Sequence, residues 1–193
     1  MKVQLDRKYP SIACCGIDCG LCPTYYTEGP SKCPGCGGHD FSNQHPSCSI
    51  LTCCVKNNSF EICADCSRFP CEKLKPWDKA DSFVTHKICL QNLDDIKQNG
   101  IRQFLEQQTS RIDILQSLLN SFNEGRSKNF FCIATTLLPI DSLTNAIEQA
   151  KRKIEEEEIN PEDLKSKSKI LKEFLNQYAK NQNIELKLRK IIK

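Results

Sequence analysis

Apolar residues recur at helical spacing only in the second half of the chain. Leu93, Ile96, Ile101, Phe104 and Leu105 fall on one face, and Ile112, Leu115, Leu118, Leu119 and Phe122 on the next, with Gly125 placed to close that second helix. The run from Phe130 to Leu138 is apolar nearly all round and reads as a buried helix or strand; the helices that flank it favour helix. After Pro139, the spacing of Leu143, Ile147, Ala150 and Ile154 predicts an amphipathic helix that runs into the acidic Glu155–Glu158. Asn160-Pro161-Glu162-Asp163 predicts a helix start, with Asn160 as cap and Pro161 at the first position, continuing through Leu164, Leu171, Phe174, Leu175 and Tyr178. Two stretches alternate with period two instead. Ile184–Arg189 predicts a terminal strand, and Lys2–Asp6 an edge strand.

The first third has no such period. Pro23, Pro30, Pro34, Pro46, Pro70 and Pro76 lie in it with closely spaced glycines, so it reads as turns and loops. The fold class predicted is small α+β. A cysteine-rich module of zinc-ribbon or knuckle type, residues 1–76, packs against a mainly helical region, residues 77–193, with the candidate strand at its end.

Twelve of the 14 cysteines fall between Cys14 and Cys71, leaving Cys89 and Cys132 outside. How they are read depends on the compartment. No run of 18 apolar residues is present, and Met1–Lys8 lacks the apolar stretch of a secretion signal, so a cytoplasmic protein with no membrane span is expected. In a reducing compartment clustered thiols suggest metal ligands or redox chemistry rather than disulfides. Cys89 and Cys132 read as buried thiols acting as small hydrophobes.

Three C-x-x-C pairs stand out: Cys19/Cys22, Cys33/Cys36 and Cys63/Cys66. Ten residues separate the first two pairs, a spacing suited to a structural zinc site. Cys48, Cys53, Cys54, Cys63, Cys66 and Cys71 can complete a second tetrahedral site, and Cys15 adds a thiol ahead of Cys19. His39 and His45 are spare alternatives that read better as loop histidines. A structural zinc ion in a small peptide contributes about 10–16 kcal/mol, against roughly 5–15 kcal/mol for the whole stability of many domains. Some sixty residues with few large apolar side chains need such a contribution. Iron and sulfur are the competing reading, because thiolates serve both metals. Cys15-x₃-Cys19-x₂-Cys22 also has the spacing of radical S-adenosylmethionine enzymes, but no series of β/α units accompanies it.

Charge bears on partners. Residues 1–76 carry 8 Lys/Arg and 7 Asp/Glu. Two Cys₄ zinc sites would take that part from +1 to −3, a poor match for a phosphate backbone, so nucleic acid is disfavoured and a protein partner is expected.

Ile12-Ala13-Cys14-Cys15-Gly16-Ile17-Asp18-Cys19-Gly20-Leu21-Cys22, then Cys33-Pro34-Gly35-Cys36, Cys48-x₄-Cys53 and Cys63-x₂-Cys66-Ser67-Arg68-Phe69-Pro70-Cys71-Glu72-Lys73-Leu74, resemble the family called domain of unknown function 3795. The likeness is dense over 12–75 and looser afterwards, including Gly125–Cys132. It implies zinc bound through Cys15, Cys19, Cys22, Cys33, Cys36, Cys48, Cys53, Cys63, Cys66 and Cys71, with Cys14 and Cys54 as extra neighbours. It implies no reaction.

The function predicted is therefore a cytoplasmic protein with structural Cys₄-type sites for two Zn²⁺ ions, and an interaction or regulatory role. The alternatives are an iron–sulfur or thiol redox protein, and a small-ligand enzyme or sensor whose Arg126–Lys128 loop binds an anion with Ser127 as helix cap. No nucleophile elbow, phosphate-binding glycine loop or H-E-x-x-H is present, so no catalytic residue is assigned.

Overall fold

Gly100 divides what the spacing presents as one amphipathic run. In this computed structural model, which describes residues 7–190 apart from the side chains of Gln44 and Asp78, helix α1 (Cys89–Asn99) ends where Gly100 takes φ 86°, and its N–H bonds back to Ile96 O at 2.9 Å. Helix α2 (Ile101–Phe122) starts at the next residue and runs unbroken for 22 residues. The helix boundary thus lies at Gly100, not between Leu105 and Ile112. A residue free to leave the α region stops a helix more firmly than a short polar stretch does.

The described residues form two compact units, 7–108 with 188–190, and 109–187. The second is conventional. Helices α3 (Lys128–Leu137), α4 (Ile140–Glu156) and α5 (Leu164–Asn181) follow the end of α2. Phe130–Leu138 is helical as read, and Phe131, Ala134 and Leu138 are wholly buried. The hydroxyls of Thr135 and Thr136 bond back to the carbonyls of Phe131 and Cys132, so they enter the core without an unmet donor. Leu138, extended as a residue before proline should be, turns the chain into α4. Helices α4 and α5 are antiparallel: Gln182 donates to Ser142 at 2.6 Å, Gln149 to Tyr178 at 2.8 Å, and Lys153 pairs with Glu173. Ala146, Ala150 and Ala179 are buried beside Leu143, Leu171 and Leu175, a mix of small and branched side chains that lets two helices approach closely.

Three local expectations change. The cap of α5 is Asp163, whose carboxylate accepts from Ser166 N–H at 3.0 Å; Asn160 holds the preceding turn by accepting from Glu162 N–H. Gly125 has φ 93° but sits three residues beyond Phe122, in a loop where its N–H reaches Asn123. Ile184–Arg189 forms no strand. Alternation gives a ladder only where a second strand exists, and among the described residues none lies beside this segment; Asp81 N–H bonds to Arg189 O at 3.2 Å, with the Asp81 carboxylate gripping Arg189 in return. Lys2–Asp6 lies outside the described residues.

The first unit holds the cysteines on single turns. From Cys19 to Asp78 there are short 3₁₀ or α turns and one π-helical segment, Thr52–Asn57. Among the described residues the only β pairing is the bridge of Ile12 with Asp18, so no ribbon of strands forms. The core beneath the turns gathers Ile12, Ala13, Ile50, Leu51, Ile62, Phe69, Leu74, Leu93 and Phe104 with Cys14, Cys15, Cys36 and Cys54.

Candidate metal centre

Residues 10–14 are the hub on which the cysteine turns hang. Pro10 O accepts from Cys36 N–H at 2.9 Å, Ser11 O from Gly20 N–H at 2.9 Å, and Cys14 O from Cys63 N–H at 3.0 Å. One short stretch thereby holds all three C-x-x-C pairs. The first and third pairs are alike: Cys22 N–H bonds to Cys19 O, and Cys66 N–H to Cys63 O, each at 3.2 Å, closing a 3₁₀ turn. The Asp18 carboxylate caps the first turn and accepts from Gln108; that of Asp65 accepts from Ile62 N–H. The second pair differs because Gly35 stands at φ 86° with Pro10 O so near that an added Cβ would come within 2.2 Å of it. Only glycine brings the two backbones this close. Gly16 plays the same part in the Cys14–Cys15 loop, where a Cβ would lie 2.1 Å from Cys89 O.

None of the 14 cysteines is in a disulfide. Cys14, Cys15, Cys22, Cys36 and Cys54 are buried; Cys19, Cys33, Cys48, Cys53, Cys63, Cys66 and Cys71 are half-buried. Backbone amides face several sulfurs: Ile17 faces Cys15, Thr24 and Tyr25 face Cys22, Cys36 faces Cys19, and Leu51 N–H reaches Cys48 Sγ at 3.5 Å. The Thr24 hydroxyl lies 3.1 Å from Cys22 Sγ. These donors do not by themselves keep the thiols acidic. Burial pushes Cys15 up to about 12, helped by Cys36 and Cys48, and raises Cys19 and Cys22 as well.

A second set of contacts runs through residues outside the expected ligands. The Cys14 side chain neighbours those of Cys36 and Cys54, and Cys54 neighbours Cys63 in turn, so the four thiols form a chain of neighbours. Cys14 is raised: Cys36 favours its thiolate, but Cys54 and burial outweigh it. Beside this chain lies Arg7, its side chain wholly buried. Its guanidinium donates to Ile12 O at 2.7 Å, Cys36 O at 2.9 Å and Glu61 O at 2.7 Å, and pairs with Glu61 at 3.2 Å. Its Nε–H has no well-formed acceptor among the described residues, while the sulfurs of Cys14 and Cys36 lie beside the same guanidinium. A buried cation with a spare donor suits neighbours that become thiolate. Sequence reasoning missed Arg7, and a lone arginine in a lead-in offers no signal that could have found it.

The expected ligands therefore fall into two groups. Cys15, Cys19, Cys22, Cys33, Cys36 and Cys48 neighbour one another, with Cys22 next to Cys33 rather than paired only within its own turn. Cys53, Cys63, Cys66 and Cys71 line a separate cavity with Cys54. The donor chemistry fits a thiophilic ion, yet among the described residues no three His, Cys, Asp or Glu side chains converge closely enough to hold one. The sulfurs stand in pairs and chains. His39 pairs with exposed Asp40, and His45 stacks on Phe41, as loop histidines do. Cys89 and Cys132 are buried on α1 and α3.

The loop expected to bind an anion is already supplied with one. Glu124 accepts from Ser127, from Ser168 at 3.0 Å and from Lys172 at 3.3 Å; Ser127 spends its hydroxyl there and not on the start of α3. Burial opposes the charge, but the bonds from Ser127, the Glu124 backbone, Ser168 and Lys172 hold the carboxyl at about 2.

Residues 11–76 match the family model described as Protein of unknown function (DUF3795), a stretch that takes in all twelve clustered cysteines and stops short of the looser likeness further on. No curated protein and no solved structure matches the chain.

Proposed function

We propose, on the premise that residues 11–76 belong to the DUF3795 family, that this part of the chain is a structural metal module holding zinc through thiolates. The residues that would hold the ion are drawn from Cys15, Cys19, Cys22, Cys33, Cys36 and Cys48. The observation that carries this reading is the set of backbone amides facing Cys15, Cys19, Cys22 and Cys48. A neutral thiol packing as a hydrophobe needs no such donors, whereas a metal-bound thiolate is an anion whose remaining lone pairs are stabilised by them. Bound zinc would neutralise the sulfurs and tie together turns that share no ladder and no long helix. A donor set of thiols alone is that of closed, structural zinc sites, which makes the role structural.

Elemental analysis with thiol counting on full-length protein purified without chelator tests this. The expected result is about one zinc per chain at this group, lost in Cys22→Ala and kept in Cys132→Ala, with the group's thiols unreactive until a chelator is added. Zinc-free protein in which every thiol titrates at once would overturn it.

A further inference from the structure

Five thiols, those of Cys53, Cys54, Cys63, Cys66 and Cys71, line one cavity of ≈ 410 Å³. Space of that order takes a small organic molecule, since ligand sites run from about 300 to 1,000 Å³. Phe60, Phe69, Pro70 and Leu74 give the cavity an apolar wall, and Arg68 and Lys73, both exposed, add two cations to it. Glu72, on the same wall, is paired with Lys75, so positive charge prevails there. The ligand such a lining suits is small, carries carboxylates and reacts with thiols.

Cys63 and Cys66 are the pair placed for that reaction. They end the 3₁₀ turn closed by the bond from Cys66 N–H to Cys63 O at 3.2 Å, and the Asp65 carboxylate fixes its start by accepting from Ile62 N–H at 3.2 Å. Such a turn keeps its end Cα atoms within about 7 Å, and a disulfide spans about 4.4–6.8 Å between Cα atoms. Joining the two sulfurs therefore asks for little backbone movement. Cys19 and Cys22 share the turn but not the setting: Cys22 is buried, with the Thr24 hydroxyl on its sulfur, whereas Cys63 and Cys66 are both half-buried and border the cavity. Cys63 N–H is tied to Cys14 O and its thiol neighbours buried Cys54, which makes Cys63 the inner thiol of the pair and Cys66 the outer.

We infer that this cavity is a thiol–disulfide exchange site for a low-molecular-weight disulfide bearing carboxylates. The Cys66 thiolate attacks one sulfur of the small disulfide, whose S–S bond breaks as the mixed disulfide forms and the first small thiolate leaves. The Cys63 thiolate then attacks the Cys66 sulfur and expels the second. Cys63 and Cys66 each give up a proton and together two electrons; the small disulfide takes these up and departs as two thiols. The site lies outside the zinc group of the proposed module, and each reading can fail without the other.

The test incubates the full-length protein, purified without chelator, with oxidised glutathione, maps disulfides by peptide mass and counts bound zinc. The expected result is a Cys63–Cys66 bond formed before any other cysteine is modified, with the zinc of the first group retained. Cys63→Ser should trap glutathione as a mixed disulfide on Cys66. Arg68→Glu combined with Lys73→Glu should slow the reaction with oxidised glutathione several-fold and leave that with an uncharged hydroxyethyl disulfide unchanged. If Cys63 and Cys66 stay unmodified in the wild-type chain, or react only after a chelator has removed a second zinc ion, the exchange site is overturned and the zinc module still stands. Glutathione scattered over the clustered cysteines with no preference for Cys66 would overturn it as well. These readings come from wild-type protein, so a Cys63→Ser chain that fails to fold does not blunt them. A zinc-free protein that still forms the Cys63–Cys66 bond would keep the exchange site and overturn the zinc module.

Discussion

Residues 109–187 and residues 7–76 solve the same problem by different means. In the helical unit the backbone satisfies its own polar groups along α3, α4 and α5, and the apolar side chains pack between them: Leu143, Leu171, Leu175 and Phe131 are fully buried. Among the described residues of the cysteine module no helical segment is that long, and the backbone bonds close single turns or reach hub carbonyls and a few sulfurs. Its buried side chains include five cysteines beside Ile12, Leu21, Ile50, Leu51 and Ile62. One unit stands on long helices with apolar faces, the other on single turns around a core that mixes apolar side chains with thiols. The comparison shows what a chain does when spacing leaves no periodic face to bury: it fixes single turns by individual contacts, each of which a point mutation can remove.

The strongest way to break the comparison is a cavity in the helical unit. Leu171→Ala should cost that unit about 2–5 kcal/mol, read as a lower denaturation midpoint by circular dichroism, while metal content per chain stays at the wild-type value. A loss of metal alongside would show that the two regions are not held separately. In the module the sensitive point is backbone geometry. Gly35→Ala should cost about 1–3 kcal/mol and lower the bound metal, since Pro10 O must move and release Cys36 N–H. Gly29→Ala, at φ 75° with nothing within 4 Å of an added Cβ, should leave metal content unchanged and cost about 1 kcal/mol. Equal metal loss in both would mean that strain, and not the contact with the hub, is what matters.

The smallest effect concerns Glu124. Its carboxyl is held at about 2 when folded, below the roughly 4.3 of an unfolded chain. Its contribution is therefore complete above about pH 4.3 and fades as pH falls toward 2. Glu124→Gln should flatten the acid limb of the helical unit's stability curve by at most ~1 kcal/mol, given partial solvent screening. An unchanged limb would mean that Ser127, Ser168 and Lys172 do not favour the charged form.

Much of the helical unit was legible, because the spacing of Leu143, Ile147 and Ala150, and the acids and proline near Asp163, carry their own periodic or capping signal. What went astray among the helices was local choice among similar signals, such as Asn160 against Asp163 as cap, or, in the first unit, Gly100 against a polar stretch as helix break. The expected strand at Ile184–Arg189 failed for a less local reason: alternation says which faces differ, and says nothing about whether a partner strand exists. In the module the cysteine ligand types were visible but their grouping was not. Which sulfur neighbours which is decided by the hub at residues 10–14 and by Gly16 and Gly35, and this is why Cys14 and Cys54, set aside from the motif, turn out to link Cys36 with Cys63.

The central claim is that thiolate-bound metal does in residues 12–75 what apolar packing does in α3 to α5. Hydrogen exchange on the full chain, read peptide by peptide before and after a chelator strips the metal, tests it most directly. The account predicts that protection across residues 12–75 collapses while that of residues 128–181 persists. Protection of the cysteine module that survives complete metal removal, with all its thiols open to titration, would contradict it.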